Sequence, residues 1–222
     1  KVAVRKEESD LEQGLVVLQS KEEPRAHVSL IPDQNVSAKP IPGAIADVVG
    51  GLEIAPGKRS PILDFLRRER PRVLGHEAGN PLVTASKPEE RLTQIIDVVK
   101  RLDGSYLPIQ GPPGTGKSFT AKHVITELIR CGFKVGITSN SHKAINHLMK
   151  VTAECCKAGS VAAKFSCAKD KDGELAALGI EACSNTDLAA NIEDGYTVGT
   201  TAWGFCRDDV VESLDYLFVD EA

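Results

Sequence analysis

The chain has 222 residues and a mass of 23.8 kDa, which is enough for one full domain and a small additional segment. Hydrophobic residues make up 41% and charged residues 26% of the sequence, an ordinary globular composition that needs no disulfide framework. The formal net charge of −4 excludes a uniformly basic surface for nucleic acid but not a local basic groove. No apolar run approaches membrane-spanning length, so we expect no membrane partner.

The six cysteines show no metal-binding spacing. None forms a Cys-x-x-Cys pair, and no histidine lies at zinc-finger distance from a cysteine along the chain. This pattern is typical of reduced, partly buried thiols in a cytoplasmic protein, with a metal site as the alternative. We therefore expect cytoplasmic localisation.

Residues 1–55 predict a small β-rich segment, because short apolar runs are separated by polar and turn-forming residues. Prolines and glycines are concentrated over residues 32–61, which predicts irregular structure with at most a short helix near residues 44–49. Residues 56–85 are expected to form a linker with one helical piece. The three apolar runs are residues 2–4, 15–18 and 28–31.

Residues 86–222 predict alternating helices and strands. Residues 86–89, Ser-Lys-Pro-Glu, match a capping box and precede apolar residues at helical spacing. Such alternation predicts an α/β domain with a parallel sheet covered by helices on both faces, although residues 168–195 show no clear pattern. A first helix is predicted to begin at residue 86, and two further helices cover residues 117–130 and 142–156. The predicted strands cover residues 106–110, 134–138, 161–166, 195–199 and 216–219.

One segment matches the phosphate-binding pattern Gly-x-x-x-x-Gly-Lys-Ser in full, between a predicted strand and a predicted helix. Glycines allow the tight turn that points successive backbone N–H groups inward as an anion nest. Lys117 is expected to contact the β- and γ-phosphates of ATP, and the Ser118 hydroxyl to ligate Mg²⁺. The loop consists of Gly111, Pro112, Pro113, Gly114, Thr115, Gly116, Lys117 and Ser118.

Two acids follow the last predicted strand and complete this chemistry. We expect that strand to lie beside the strand that enters the phosphate loop, where Asp220 would reach the Mg²⁺ shell. Glu221 would orient and deprotonate the attacking water. The second carboxylate favours hydrolysis over phosphoryl transfer to a small acceptor.

Four separated segments of the chain resemble motifs of superfamily-1 helicases of the Upf-like and Dna-type branch. The sequence is most similar to the bacterial group in which such a helicase follows a RecB-like nuclease. The resemblance implies a RecA-like P-loop NTPase domain over residues 86–222 that binds ATP and Mg²⁺ and acts on single-stranded nucleic acid, with DNA favoured over RNA. The matching segments are residues 109–117, 135–144, 199–203 and 219–222.

The resemblance also implies further site residues. Gln94 occupies the place of an adenine-contacting glutamine, and the nucleotide-binding set extends to Phe119. Residues in the matching segments correspond to contacts with the sugar–phosphate backbone of a strand. Helix capping is the alternative for Ser141, and Trp203 is either a base-stacking platform or a core residue. The implied nucleic-acid contacts are Ser139, Ser141, His142, Thr200 and Thr201.

The sequence departs from the family pattern at its ends. It begins at Lys1 and stops at Ala222, so we expect a fragment of a longer protein whose second RecA-like domain would be a partner. We expect the fragment alone to be poorly active. The alternatives are an RNA helicase or translocase, a P-loop kinase or nucleotide-dependent switch, and a nucleotide-gated scaffold.

Overall fold

The computed structural model describes residues 2–10, 12–21, 23, 38–54, 59–168 and 173–221. The chain divides into two compact units, Lys1–Ser37 and Ala38–Ala222. In the first unit, strand β1 (Ala3–Val4) pairs antiparallel with strand β2 (Leu18–Gln19). This small sheet agrees with the β-rich N-terminal segment that the sequence predicts. The strand predicted at residues 28–31 lies outside the described residues.

In the described part of the second unit, three α-helices precede the phosphate loop. Helix α1 (Ile41–Ile54) is longer than the predicted short helix, because Pro42 falls in the first turn, where no intrahelical N–H bond is lost. Helix α2 (Pro61–Arg67) begins after Ser60, whose hydroxyl accepts a hydrogen bond from the Leu63 N–H at 3.4 Å. Helix α3 spans Pro88–Lys100.

Helix α3 does not begin with the predicted capping box. Its N-cap residue is Lys87, which makes no side-chain capping bond, and Pro88 is the first helical residue. The fixed backbone angle of proline suits the first helical position, so Pro88 sets the start of the helix. The capping-box prediction for residues 86–89 is therefore wrong.

A buried carboxylate ties α2 to the chain that leads into the phosphate loop. Asp64 is fully buried and forms an ion pair with Arg72. The Ser105 hydroxyl donates to Asp64 at 3.0 Å and accepts from the Arg72 backbone N–H at 3.1 Å. Because a buried charge is tolerated only when it is paired and hydrogen-bonded, these contacts fix Ser105 relative to α2.

The second unit contains a five-stranded sheet with the order β5-β4-β6-β3-β7. Every described strand pair in it is parallel, as the alternating sequence predicts. The five strands are β3 (Val135–Ser139), β4 (Lys164–Ala168), β5 (Ile180–Cys183), β6 (Tyr196–Gly199) and β7 (Tyr216–Asp220).

Helices pack against this sheet around two apolar clusters. The larger cluster joins Ile125 of α4 (Lys117–Arg130) and Ile145 of α5 (His142–Ala158) to Ile137 of β3. The smaller cluster contains Leu188 of α6 (Leu188–Glu193) and Val198 of β6. The two clusters bury apolar side chains that together form the core of the unit.

Successive residues of β3 point in turn toward the larger and the smaller cluster. Val135 and Ile137 belong to the larger cluster. A Cβ on Gly136 would come within 2.5 Å of Leu214 and 3.0 Å of Phe205, which pack with the smaller cluster. Successive strand residues point to opposite faces, so β3 is covered on both sides and only glycine fits at position 136.

Residues 106–110 do not form the strand that their apolar pattern predicts. A strand requires a neighbouring ladder of backbone hydrogen bonds, and in the described part of the chain β7 pairs only with β3. The predicted pairing of the terminal strand with the strand entering the loop is therefore wrong. Element β5 and helix α6 lie in the stretch 168–195, where the sequence predicted neither.

Candidate nucleotide-binding site

The phosphate loop is an exposed turn at the start of α4. Residues 112–116 are all exposed, and Gly114 and Gly116 have φ angles of +81° and +85°, in the region that favours glycine. A Cβ on Gly111 would lie 2.5 Å from the Thr115 hydroxyl, which donates to the Pro112 carbonyl at 2.8 Å. The glycines of the pattern therefore meet a steric requirement of this backbone.

The Lys117 ammonium folds back over the loop. It donates to the Gly111 carbonyl at 2.7 Å and to the Pro112 carbonyl at 3.1 Å. Both acceptors are neutral, and a bond from the ammonium to an anionic phosphate oxygen, in which both partners are charged, would be stronger. A phosphate in the loop would thus compete with the two local carbonyls for Lys117.

The first turn of α4 presents further groups next to the loop. Ser118 is half-buried, and Phe119 is 54% exposed although it is a large apolar residue. The Lys122 ammonium lies 5.0 Å from the centre of the Phe119 ring, within cation–π range. An exposed aromatic ring one residue beyond a phosphate loop is available to a planar ligand.

Gln94 is held in place from the preceding loop. Its side-chain carbonyl accepts hydrogen bonds from the backbone N–H groups of Thr84 and Ala85 at 2.8 and 2.9 Å. The amide nitrogen donates to the Thr84 hydroxyl only at 3.4 Å. The side chain is therefore oriented with its carbonyl engaged, and its weakly bound NH₂ group remains the donor that an adenine ring would meet.

The two acids lie at the carboxyl end of β7. Asp220 is the register partner of Ser139 on β3, and its Oδ1 accepts from the Glu221 backbone N–H at 3.1 Å. Glu221 is exposed, has a φ of +56°, and its carbonyl accepts from the Asn140 side chain at 3.3 Å. This left-handed conformation also occurs at Arg68, Ser160 and Glu212, so at Glu221 it describes the end of the strand and does not by itself indicate a function.

Topology relates these acids to the start of α4. Helix α4 leads through the turn at residues 131–134 into β3, and its apolar residues pack with those of β3. A helix that enters the next strand through so short a turn runs back along the sheet, so its N-terminus lies toward the end where β3 and β7 finish. No hydrogen bond or ion pair in the described residues joins the acids directly to the loop.

The oxygen donors at this edge suit Mg²⁺. Ser118 and Asp220 would supply hard oxygen ligands to such an ion, which is commonly bound by one or two protein oxygens together with phosphates and water. The Ser139 hydroxyl, beside Asp220 in register, is buried without a hydrogen-bond partner in the described part of the chain. An orphaned buried hydroxyl next to a carboxylate fits a site that water and a hydrated cation complete.

The residues predicted to contact nucleic acid have mostly internal contacts. Thr200 is fully buried, and its hydroxyl donates to the Asn185 side chain at 2.9 Å. Ser141 caps α5 by accepting from the Ala144 N–H at 3.2 Å, which confirms the capping alternative for this residue. His142 and Thr201 are half-buried at the starts of α5 and α7 (Ala202–Phe205).

Trp203 was left by the sequence as either a base-stacking platform or a core residue. It is 37% exposed and lines an open cavity of about 560 Å³ with Lys39, Asn185 and Arg207. The core-packing alternative therefore does not describe this side chain fully. The available sequence signal was an aromatic residue within the matching segment at residues 199–203.

No protein-family model, curated protein or solved structure matches the chain. Within the described ranges, no helix is both long and apolar enough to cross a membrane.

Proposed function

We propose that this chain is the ATP-binding part of a nucleic-acid-dependent ATPase of the superfamily-1 helicase type, with a RecA-like fold. The observation that carries the proposal is the glycine loop at 111–118, exposed over residues 112–116 and placed at the start of α4, together with β7, which ends at Asp220 and is followed by Glu221. A loop of backbone donors and a pair of acids at strand ends are what phosphoryl transfer to water requires.

Different residues of the chain would carry out the separate parts of this chemistry. The loop N–H groups and Lys117 would hold the β- and γ-phosphates, while Gln94 and Phe119 would contact the adenine. Ser118 and Asp220 would hold Mg²⁺, which neutralises phosphate charge when bound. Glu221 would orient the attacking water and accept its proton.

A single strand is the proposed nucleic-acid ligand, with DNA favoured over RNA. Support comes from Trp203, whose exposed ring is of the kind on which bases stack irrespective of sequence. Thr201 and His142 lie at the carboxyl ends of neighbouring strands of the same sheet. A second RecA-like domain of a longer parent chain is the proposed partner that would complete the motor.

Equilibrium binding of Mg·ATP to the 222-residue chain tests the phosphate site. Lys117→Ala is expected to weaken binding at least tenfold, because a hydrogen bond to a charged group contributes about 1.5–3 kcal/mol. Lys143→Ala removes an exposed lysine of α5 and is expected to bind as the unmodified chain does. Equal affinity of the two variants would contradict the phosphate site.

Turnover tests the roles of the acids. A Glu221→Gln variant of the parent protein is expected to bind ATP and retain it unhydrolysed, and single-stranded DNA is expected to accelerate hydrolysis by the unmodified parent. Rapid turnover by Glu221→Gln would remove Glu221 from the base role. Transfer of the γ-phosphate to a small acceptor, with no stimulation by a strand, would favour the kinase alternative.

Fluorescence of Trp203 tests whether single-stranded nucleic acid binds next to this residue. Trp203 is the single tryptophan of the sequence, so quenching on titration with oligothymidylate reports on this residue alone. An oligonucleotide of abasic sites is the matched control and is expected to quench less, because it lacks stacking bases. Oligouridylate measures the preference between RNA and DNA, and equal responses to all three strands would contradict stacking on Trp203.

A further inference from the structure

A second cavity, of about 310 Å³, lies among helices α3, α4 and α5. Its lining includes His123, Glu127 and Arg130 of α4 and Cys155 of α5. This volume is at the lower end of the range for small-molecule sites. The cavity is thus large enough to admit a small reagent to any reactive group on its wall.

Cys155 and His123 form a thiol–imidazole pair on this wall. The Cys155 sulfur lies 3.5 Å from His123 Nδ1, within hydrogen-bond range for sulfur, and in the tautomer protonated at Nε2 the thiol donates to Nδ1. The His123 ring packs edge-on against Phe119, with ring centres 4.6 Å apart, which orients the imidazole. Burial, together with the nearby charge of Lys122, lowers the pKa of His123, which favours the neutral ring whose Nδ1 is a hydrogen-bond acceptor for the thiol.

The other cysteines lack this combination of access and a base. Burial raises the pKa of Cys156, Cys183 and Cys206, which keeps those thiols protonated and poorly nucleophilic. Cys167 is 1% exposed. Cys131 is exposed, and in the described residues no imidazole contacts it, so it serves as an internal reference for an unassisted thiol.

We propose that Cys155, assisted by His123, is a reactive thiol that forms a mixed disulfide with a small disulfide compound entering this cavity. The thiol proton passes to His123 Nδ1, and the thiolate attacks one sulfur of the compound. A new S–S bond forms at Cys155, the original S–S bond breaks, and the departing thiolate takes the proton from His123. An added thiol reverses the exchange. This inference does not depend on the proposed nucleotide site.

The test treats the folded full chain with hydroxyethyl disulfide, a compound small enough for this cavity, and follows each cysteine by mass spectrometry, with fragment ions separating Cys155 from Cys156. Cys155 is expected to be modified faster than Cys131 despite its lower exposure. His123→Phe keeps an aromatic ring against Phe119 but removes the base. This variant is expected to slow modification of Cys155 by at least about tenfold and to leave the rate at Cys131 unchanged.

Two results would overturn the proposal. One is faster modification of Cys131 than of Cys155 in the unmodified chain, a comparison that needs no variant. The other is an unchanged rate at Cys155 in a His123→Phe chain that retains the native circular dichroism spectrum. Cys167 is expected to stay unmodified throughout, which shows that the reaction occurs on the folded protein.

Discussion

The phosphate loop and the polar ends of β3 and β6 use their polar groups differently. Residues 112–116 are exposed, and the Lys117 ammonium donates to two carbonyls of its own loop. Thr200 and Ser141 instead use their hydroxyls within the fold, one on Asn185 and one at the start of α5. Polar groups near one edge of the sheet therefore differ in how the fold satisfies them, and under the proposed function the loop groups are the ones that a phosphate would engage.

Asp64 is the polar side chain whose contacts within the fold are expected to contribute most to stability, so it tests the stability side of this comparison. Asp64→Ala leaves Arg72 and Ser105 without their buried partner, so we expect the free energy of unfolding to fall by about 3–5 kcal/mol. Asp97→Ala breaks an exposed ion pair with Arg101 and is expected to cost less than about 1 kcal/mol. Urea denaturation measures both, and equal losses would refute the structural role of Asp64.

Gly111→Ala tests the loop side of the comparison. The new Cβ would lie 2.5 Å from the Thr115 hydroxyl, and crowding of this kind costs about 1–3 kcal/mol. We expect Mg·ATP to bind about tenfold more weakly, because the Thr115 side chain must move and lose its hydrogen bond to the Pro112 carbonyl, which shapes the loop. Gly43→Ala adds a methyl group in open space and is expected to leave binding unchanged. Wild-type affinity of Gly111→Ala in calorimetry would argue against a preformed phosphate cradle.

Thr200→Val addresses the strand ends. Valine keeps the shape of the side chain but leaves the Asn185 oxygen without its donor, so we expect a loss of about 1–3 kcal/mol of stability. Affinity for oligothymidylate, measured by Trp203 fluorescence, should not change. Thr201→Val is the partly exposed neighbour, expected to lose less than about 0.5 kcal/mol. If Thr200→Val kept the unmodified stability but bound oligothymidylate more weakly, Thr200 would be a binding residue and not a structural one, contrary to this comparison.

Ser141→Ala gives the smallest expected effect. Removing the cap of α5 is expected to lower the free energy of unfolding by about 1 kcal/mol. Ser86→Ala is a matched control, since the Ser86 side chain caps no helix, and should change stability by less than about 0.5 kcal/mol. Thermal unfolding measures the pair, and a larger loss from Ser86→Ala would restore the capping box.

Local patterns predicted the elements nearest the loop well. Helix α4 covers Lys117–Arg130, as its glycine boundaries and apolar spacing indicate, and β3, β6 and β7 lie within a residue or two of their predicted bounds. The failures have physical causes. Residues 106–110 have the composition of a strand but no neighbouring ladder, and the proline and glycine content of α1 concealed a helix whose proline lies in the first turn.

The residues of the candidate site also fall into those that the sequence could identify and those that it could not. Gly111, Gly114 and Gly116 follow from the backbone geometry that any such loop requires, so the sequence was sufficient to find them. Burial decided the rest, because the exposure of Trp203 and the enclosure of Thr200 depend on elements distant in the chain.

The sequence by itself determined the glycine loop, the acids after the last strand and the alternation that predicts a parallel sheet, because these depend on local backbone geometry and on side-chain periodicity. Only the tertiary structure decided that β7 pairs with β3, that Asp64 holds Arg72 and Ser105, and that Cys155 meets His123. Each of these joins residues far apart in the chain, and such contacts depend on how all the elements pack together.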